Sequence, residues 1–274
     1  MTDVTLHRNG RQYSANLSDP LSIAIPLDFD GAQPNHFSAP RAHAAALTQG
    51  RWIGDVLAGG SVNCSALSLV PHCNGTHTEC VGHITEDRVA IHDVLRGGLH
   101  LARLVTVTPE HRAATSETVD SSATPDEYVI TASELARALE LWNGHSSALV
   151  LRTRPNDTSK LNKTYEGPAP APYLTAEAAQ RLVLENIEHI VTDLPSLDRA
   201  HDAGRLLAHR IFWGLDAPSR RSSDARRGHA TITELAWIAP TIRDGWYLLD
   251  LQMPAFVSDA APSRPLLYPL RPHD

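Results

Sequence analysis

The chain has 274 residues, with 24 basic against 31 acidic side chains, a formal net charge of −7 and 42% hydrophobic residues. That length and apolar content bury a core without a disulfide or metal staple. The acidic balance excludes nucleic acid as the main partner, because phosphate binding needs a basic footprint, and the mixed composition excludes a disordered or fibrous chain.

Met1–Asn16 carries Asp3, Arg8 and Arg11 and has no apolar h-region, so no secretory signal is expected. No stretch approaches the ~20 apolar residues of a membrane span. Three cysteines, Cys64, Cys73 and Cys80, are an odd number in a large chain and argue against a disulfide framework. The expectation is one cytoplasmic domain over residues 1–274, acting on neither membrane nor nucleic acid.

The first hundred residues read as β-rich and irregular. Their densest feature is the run from Pro71 to His83, which holds His72, Cys73, His77, Glu79, Cys80 and His83. Further on, Ser133 is a good N-cap for a helix over Glu134–Trp142, with Leu135, Leu139 and Trp142 on one face and Glu134 near the positive end of the dipole. Ala148–Leu151 reads as a strand, and residues 154–172 as a loop. Thr175 caps a second helix, Ala176–Ile187, and Ile190–Val191 reads as the next strand. A third helix is expected after Asp198, running through Ala203, Leu206 and Leu207 to Trp213. Residues 215–228 read as a long loop, in which Arg220, Arg221, Arg226 and Arg227 form a solvated face. The last expected strands are Ile232–Leu235 and Tyr247–Leu251. Strands alternating with helices in this half point to an α/β domain with a partly parallel sheet.

The chemistry concentrates in the 71–83 run. In an extended chain residues two apart share a face, so His77 and Glu79 point the same way, and Cys73 and His83 share their parity. Imidazole and carboxylate on one face suit zinc, manganese or iron. A structural zinc held by Cys73, His77, Cys80 and His83 is the rival reading, but it lacks the tight Cys-x-x-Cys pair of such sites. Far downstream, Ile232, Glu234, Ala236 and Ile238 share one parity. A strand through them sets Glu234 on an apolar face, where a carboxylate must be paired, hydrogen-bonded or metal-bound.

The block Gly75-Thr76-His77-Thr78-Glu79-Cys80-Val81-Gly82-His83 resembles the H-x-G-T-H-x-D-x-P-x-H signature of the cyclase family, which includes bacterial kynurenine formamidase and isatin hydrolase. Ile190-Val191-Thr192-Asp193-Leu194-Pro195-Ser196-Leu197-Asp198 is similar to the family's G-x-D-T-P-S-x-D segment. His209 and Glu234 resemble its second-half metal histidine and its metal-bridging glutamate. Four departures stand out: Glu79 replaces the usual Asp, Cys80-Val81-Gly82 replaces the proline-containing stretch, the first histidine position falls on Cys73, one place after His72, and the spacing of His209 and Glu234 makes residues 215–228 an insertion or lid.

The resemblance implies a single α/β domain with a central mixed, barrel-like sheet flanked by helices, in a homodimer or higher oligomer. It implies a metal-dependent hydrolase of an amide C–N bond, of formamide or lactam type, with a small-molecule substrate and one or two zinc or manganese ions. His72 or Cys73, His77, Glu79, His209 and Glu234 are then the metal ligands. Regular strand parity favours Cys73 for the first position, whereas a bulge at Asn74-Gly75 brings in His72, which is preferred because imidazole suits both metals. His83 is the general base and acid. Asp193 and Asp198 are read as loop and N-cap residues that shape the site. Trp52, Phe37, Trp213 and Phe256 are candidate stacking residues, each expected in the core. The alternatives are a metal-poor ligand-binding or regulatory member of the same fold, and a cyclase or lactone hydrolase.

Overall fold

A computed structural model of the protein describes residues 3–8, 10–166 and 170–272; residues 167–169 of the expected 154–172 loop lie outside them. Its centre is a nine-stranded sheet curled into a half-barrel. In chain order the strands are β1 (Leu21–Ser22), β2 (His77–Glu79), β3 (Leu99–Val107), β4 (Ala148–Thr153) and β5 (His189–Thr192). They continue with β6 (Thr231–Glu234), β7 (Gly245–Asp250), β8 (Ala260–Pro262) and β9 (Leu266–Pro269). The spatial order is β8-β2-β6-β5-β4-β3-β7-β9-β1. Strands β3 to β6 run parallel to one another, and the flanking pairs are antiparallel.

Every residue of β4 is buried, as a near-continuous apolar run between two covered faces demands. Alternate side chains feed two cores. Leu149, Leu151, Ile190 and Ile232 pack beneath helices with Leu135, Leu182 and Phe212. Ala148, Val150 and Val191 pack on the other face with Ile23, Leu104, Ile238 and Leu249. The helices, again in chain order, are α1 (Pro71–Asn74), α2 (Ile91–Val94), α3 (Ala132–Glu140), α4 (Ala176–Leu184) and α5 (Leu207–Trp213). Residues 43–68 form two short antiparallel ribbons that are largely exposed. Among the described residues no helix is long and apolar enough to cross a membrane.

Several local expectations shift. The α3 cap is Thr131, not Ser133: Thr131 has the extended backbone a cap requires, and its side chain accepts from Glu134 N–H. Thr175 does cap α4, but that helix stops at Leu184, because Asn186 turns left-handed (φ 54°) and Ile187 enters the core from the turn. The expected helix after Asp198 begins only at Leu207. Residues 199–206 wind in turns, with Ala203 and Leu206 left-handed at φ 57° and 48°. Strand β6 ends at Glu234 because Leu235 is left-handed (φ 52°), so the parity run does not reach Ile238 as one strand.

Candidate metal centre

Strand β2 sits between β6 and β8, with His77 opposite both Glu234 and Pro262, and Glu79 opposite Ile232 and Ala260. This pairing joins the 71–83 run to two segments more than 150 residues away in the chain, with every residue of β2 and β6 buried. The side chains of Thr78 and Thr233 hydrogen-bond across the pair at 2.8 Å.

The residues before β2 are helical rather than extended. Pro71 starts the one-turn helix α1, and the chain straightens only at Gly75. Strand parity therefore does not apply to residues 72 and 73. His72 turns its Nδ1 to within 2.8 Å of Glu79 Oε2. Cys73 is buried, its thiol pKa raised by burial and then by the charge of Glu234. Cys80 is also buried, donates toward the Val89 carbonyl, and has its thiol pushed up to about 12, chiefly by burial. Among the described residues neither cysteine joins a cluster of converging ligand atoms, so the four-residue structural zinc site does not assemble.

The structure brings together all six residues singled out in the sequence. Glu79 lies at the centre: Oε1 is 3.0 Å from His209 Nε2, and Oε2 is 3.9 Å from His83 Nε2 as well as close to His72. Glu234 spans the other side, with Oε1 3.6 Å from His209 Nε2 and Oε2 3.5 Å from His77 Nε2. Glu234 Oε1 also accepts from Leu197 N–H at 2.8 Å, which fixes the carboxylate.

Two histidines are aimed by their outer nitrogens. His77 donates Nδ1–H to the Gly75 carbonyl at 2.9 Å, leaving Nε2 buried without a hydrogen-bond partner. His209 donates Nδ1–H to Asp198 Oδ2 at 2.6 Å, so its Nε2 faces Glu79 and Glu234. The Asp198 carboxylate also accepts from the N–H groups of Ala208 and His209, at the start of α5. It thus shapes the site as expected, while Asp193 sits further off and pairs with Lys160 and Thr153. Trp213, one turn beyond His209, packs its ring 5.4 Å from the imidazole.

The electrostatics follow from this packing. Burial alone would raise the Glu79 pKa, but the charge of His83 and hydrogen bonds from His209 and His72 hold it well below the usual carboxylate range. Burial would lower His72, yet hydrogen bonds to Asp259 and Glu79, with their charges, hold it up to about 10. Against the same penalty of burial, Asp198 and Glu79 raise His209 well above its ordinary value. A carboxylate cluster this deeply buried needs cations, and a metal ion could take the place of the protons.

Asp259 is the residue that sequence reasoning missed. It enters from the turn before β8, with Oδ2 2.9 Å from His72 Nε2 and 3.4 Å from His83 Nδ1. An acid among the small residues of Ser258-Asp259-Ala260-Ala261-Pro262 carries no spacing signal; only the β2–β8 register delivers it.

The cluster opens into a cavity of about 760 Å³, also lined by Phe37, Val70, Pro195, Arg199, His201 and Leu206. Of the four aromatic candidates, Phe37 alone lines it, and that side chain is half-exposed rather than core. Trp213 is fully buried as expected, while Trp52 and Phe256 are exposed. Residues 215–228 do not line the cavity; they lie against the 86–87 turn, where Ser222 N–H donates to Asp87. Arg226 pairs with Asp216 there, but Arg227 folds back onto Phe212, so the basic cluster is only partly a solvated face.

A half-barrel sheet with imidazoles and carboxylates converging at one edge defines an α/β protein with a site suited to a divalent cation. The chain belongs to the cyclase family, whose Cyclase family model matches residues 15–199. No curated protein sequence matches the chain. Among solved structures it is similar to a "predicted metal-dependent hydrolase" from Bacillus stearothermophilus, at 16% identity and TM-score 0.57, covering 91% of this chain and 98% of that one. It is similar to isatin hydrolase A from Labrenzia aggregata bound to benzyl benzoate, at 16% identity and TM-score 0.58, covering 91% and 93%. An isatin hydrolase bound to the product analogue thioisatinate aligns at 14% identity and TM-score 0.54, covering 93% of each chain. These likenesses establish the shared fold.

Proposed function

We propose that the protein is a metal-dependent hydrolase that cleaves the C–N bond of a formamide or lactam. The observation that carries this reading is His77 Nε2: a buried nitrogen with no hydrogen-bond partner, set 3.5 Å from a buried carboxylate and oriented by a bond on its other side. Such an atom is costly to bury unless something coordinates it. The donor set fits zinc or manganese, with His72, His77, Glu79, His209 and Glu234 as the residues that would hold it. Glu79 and Glu234 each offer two oxygens, enough to share between two ions.

A divalent cation bound there supplies Lewis acidity, polarising a carbonyl and lowering the pKa of water. The protein supplies the rest. His83 stands at the outer side of the cluster with its side chain 29% exposed, open to the cavity. It accepts a proton from the water that adds to the carbonyl carbon and returns it to the nitrogen as the C–N bond breaks. The balance is one water consumed, its hydroxyl left on the acyl group and its hydrogen on the amine. Phe37 offers an apolar face to the substrate at the cavity.

The structural neighbours described as a metal-dependent hydrolase and as isatin hydrolases support the reaction class. The protein is further proposed to be a cytoplasmic homo-oligomer. Exposed Leu47, Trp52, Val56, Leu57, Val62 and Leu67 on the 43–68 ribbons support association, and light scattering at several concentrations checks it. The hydrolase reading is tested by stripping the protein with a chelator, reloading it with zinc or manganese, and assaying N-formylkynurenine, isatin and simple lactones. Turnover of a formamide or lactam that returns only with metal is expected. Undiminished turnover in fully stripped protein would overturn the mechanism, and lactone turnover alone would replace the substrate class.

A further inference from the structure

Asp259 lies where the β2–β8 pairing puts Ala260 opposite Glu79, and its backbone carbonyl accepts from Cys80 N–H at 3.0 Å. Its place is thus set from both chain directions. The neighbouring turn is equally tight: a Cβ on Gly82 would lie 2.2 Å from the Val89 carbonyl oxygen and 3.2 Å from Asp259 Cβ.

The rings of His72 and His83 stack at 4.2 Å between two carboxylates. On one side, the single oxygen Asp259 Oδ2 is 2.9 Å from His72 Nε2 and 3.4 Å from His83 Nδ1. On the other, the single oxygen Glu79 Oε2 is 2.8 Å from His72 Nδ1 and 3.9 Å from His83 Nε2. The two rings therefore face Asp259 through opposite nitrogens, one through Nε2 and one through Nδ1. An ionised carboxylate only accepts hydrogen bonds, so each nitrogen facing Asp259 carries a hydrogen. At 3.9 Å Glu79 leaves the His83 Nε2 lone pair free, whereas the His72 Nδ1 that Glu79 faces at 2.8 Å gives up its hydrogen only where a cation takes its place.

We propose that Asp259 is a positioning residue that fixes both tautomers at once: Nε2–H on His72, which presents Nδ1 to the cation, and Nδ1–H on His83, which presents Nε2 for proton transfer. This rests on the metal-site reading above. Asp259 Oδ2 converges with one nitrogen each of His72 and His83, but the His72 ring stands between it and Glu79, so Asp259 is not placed as a ligand of the Glu79 cluster. Fixing the tautomer and orientation of a ligand histidine is worth 10–100-fold in metal affinity. Here one oxygen does this for a ligand and for the proton carrier together, so its loss should loosen both.

The test uses the full chain, stripped and reloaded with zinc, as wild type, Asp259→Ala and Asp259→Asn. Zinc affinity is read by chelator competition, and the protonated nitrogen of each imidazole by long-range ¹H–¹⁵N NMR. Wild type should bind zinc, with His72 protonated at Nε2 and His83 at Nδ1. Asp259→Ala should bind zinc 10–100-fold more weakly, with both rings in mixed tautomers and an unchanged circular dichroism spectrum. Asp259→Asn keeps the side-chain shape, so it carries the same test if the alanine variant does not fold, with a shift in the same direction. Unchanged affinity in both variants, or an affinity loss with both tautomers intact, overturns the assignment while leaving the metal site standing. Loss of zinc as complete as in His77→Ala would make Asp259 a ligand and also overturn it. A wild-type protein that binds no zinc overturns the metal-site reading, and this assignment with it.

Discussion

His72 and Cys73 are adjacent in sequence and have opposite fates. The helical turn of α1 points one imidazole at Glu79 and leaves the other side chain as a buried thiol whose pKa burial raises. His72→Ala is accordingly expected to lose metal and turnover, whereas Cys73→Ser keeps both; metal analysis of the purified variants decides it. The opposite pattern would make the thiolate the ligand and favour zinc. His83 has the most exposed side chain of the six cluster residues, 29%, and faces Glu79 only at 3.9 Å. His83→Ala should retain metal and lose roughly 10²–10⁴-fold in kcat. A variant that loses metal instead would move His83 into the ligand set.

At the scale of elements, the site depends on how α5 and the turns before it are anchored. Asp198 reaches ten residues forward to bind the first N–H groups of α5 and the Nδ1 of His209. Asp198→Ala removes that orientation and should weaken metal binding about 10–100-fold, read by competition with a chelator. The turns over 199–206 are tied down by Arg199, which lines the cavity and donates to buried Glu127, as does Tyr173. Burial would raise the Glu127 pKa, but the bonds from Arg199 and Tyr173 bring it down to about 2. A depressed carboxylate stabilises the fold above its unfolded pKa, here 4.5, and that contribution is lost as pH falls from there through about 2. Glu127→Gln should therefore lower the neutral-pH Tm and flatten the Tm profile between pH 4.5 and 2 relative to wild type. Parallel profiles for the two proteins would show that the pair does not anchor these turns.

For the whole molecule, the two cores on either face of the sheet are built without the metal residues. Metal removal should leave the far-UV circular dichroism spectrum intact while abolishing turnover. A cation at 100 times its Kd contributes about 2.7 kcal/mol, and at ~2–4 °C per kcal/mol for a large domain chelation should lower Tm by about 5–10 °C. Unfolding on chelation would instead make the metal part of the fold's stability.

The sequence by itself determined the residue chemistry and much of the regular framework. Helical spacing marked α3 and α4 and apolar runs marked β4, β5, β6 and β7, because periodicity is a local property, while the resemblance to the cyclase-family signature marked the Gly-Thr-His block, His209 and Glu234. It failed wherever the chain leaves regular geometry. Parity said nothing true of residues 71–74 once α1 made them helical, and the helix expected from Asp198 begins at Leu207 because Ala203 and Leu206 turn left-handed. Tertiary structure decided that His72 faces Glu79, that Asp198 aims His209, and that Asp259 joins them at all. The first two rest on chain reversals over a few residues, the α1 turn and the turns over 199–206, and the third on long-range pairing, β2 held beside β8. A contact between segments more than 150 residues apart is set by the register of those strands, which no short window of sequence encodes.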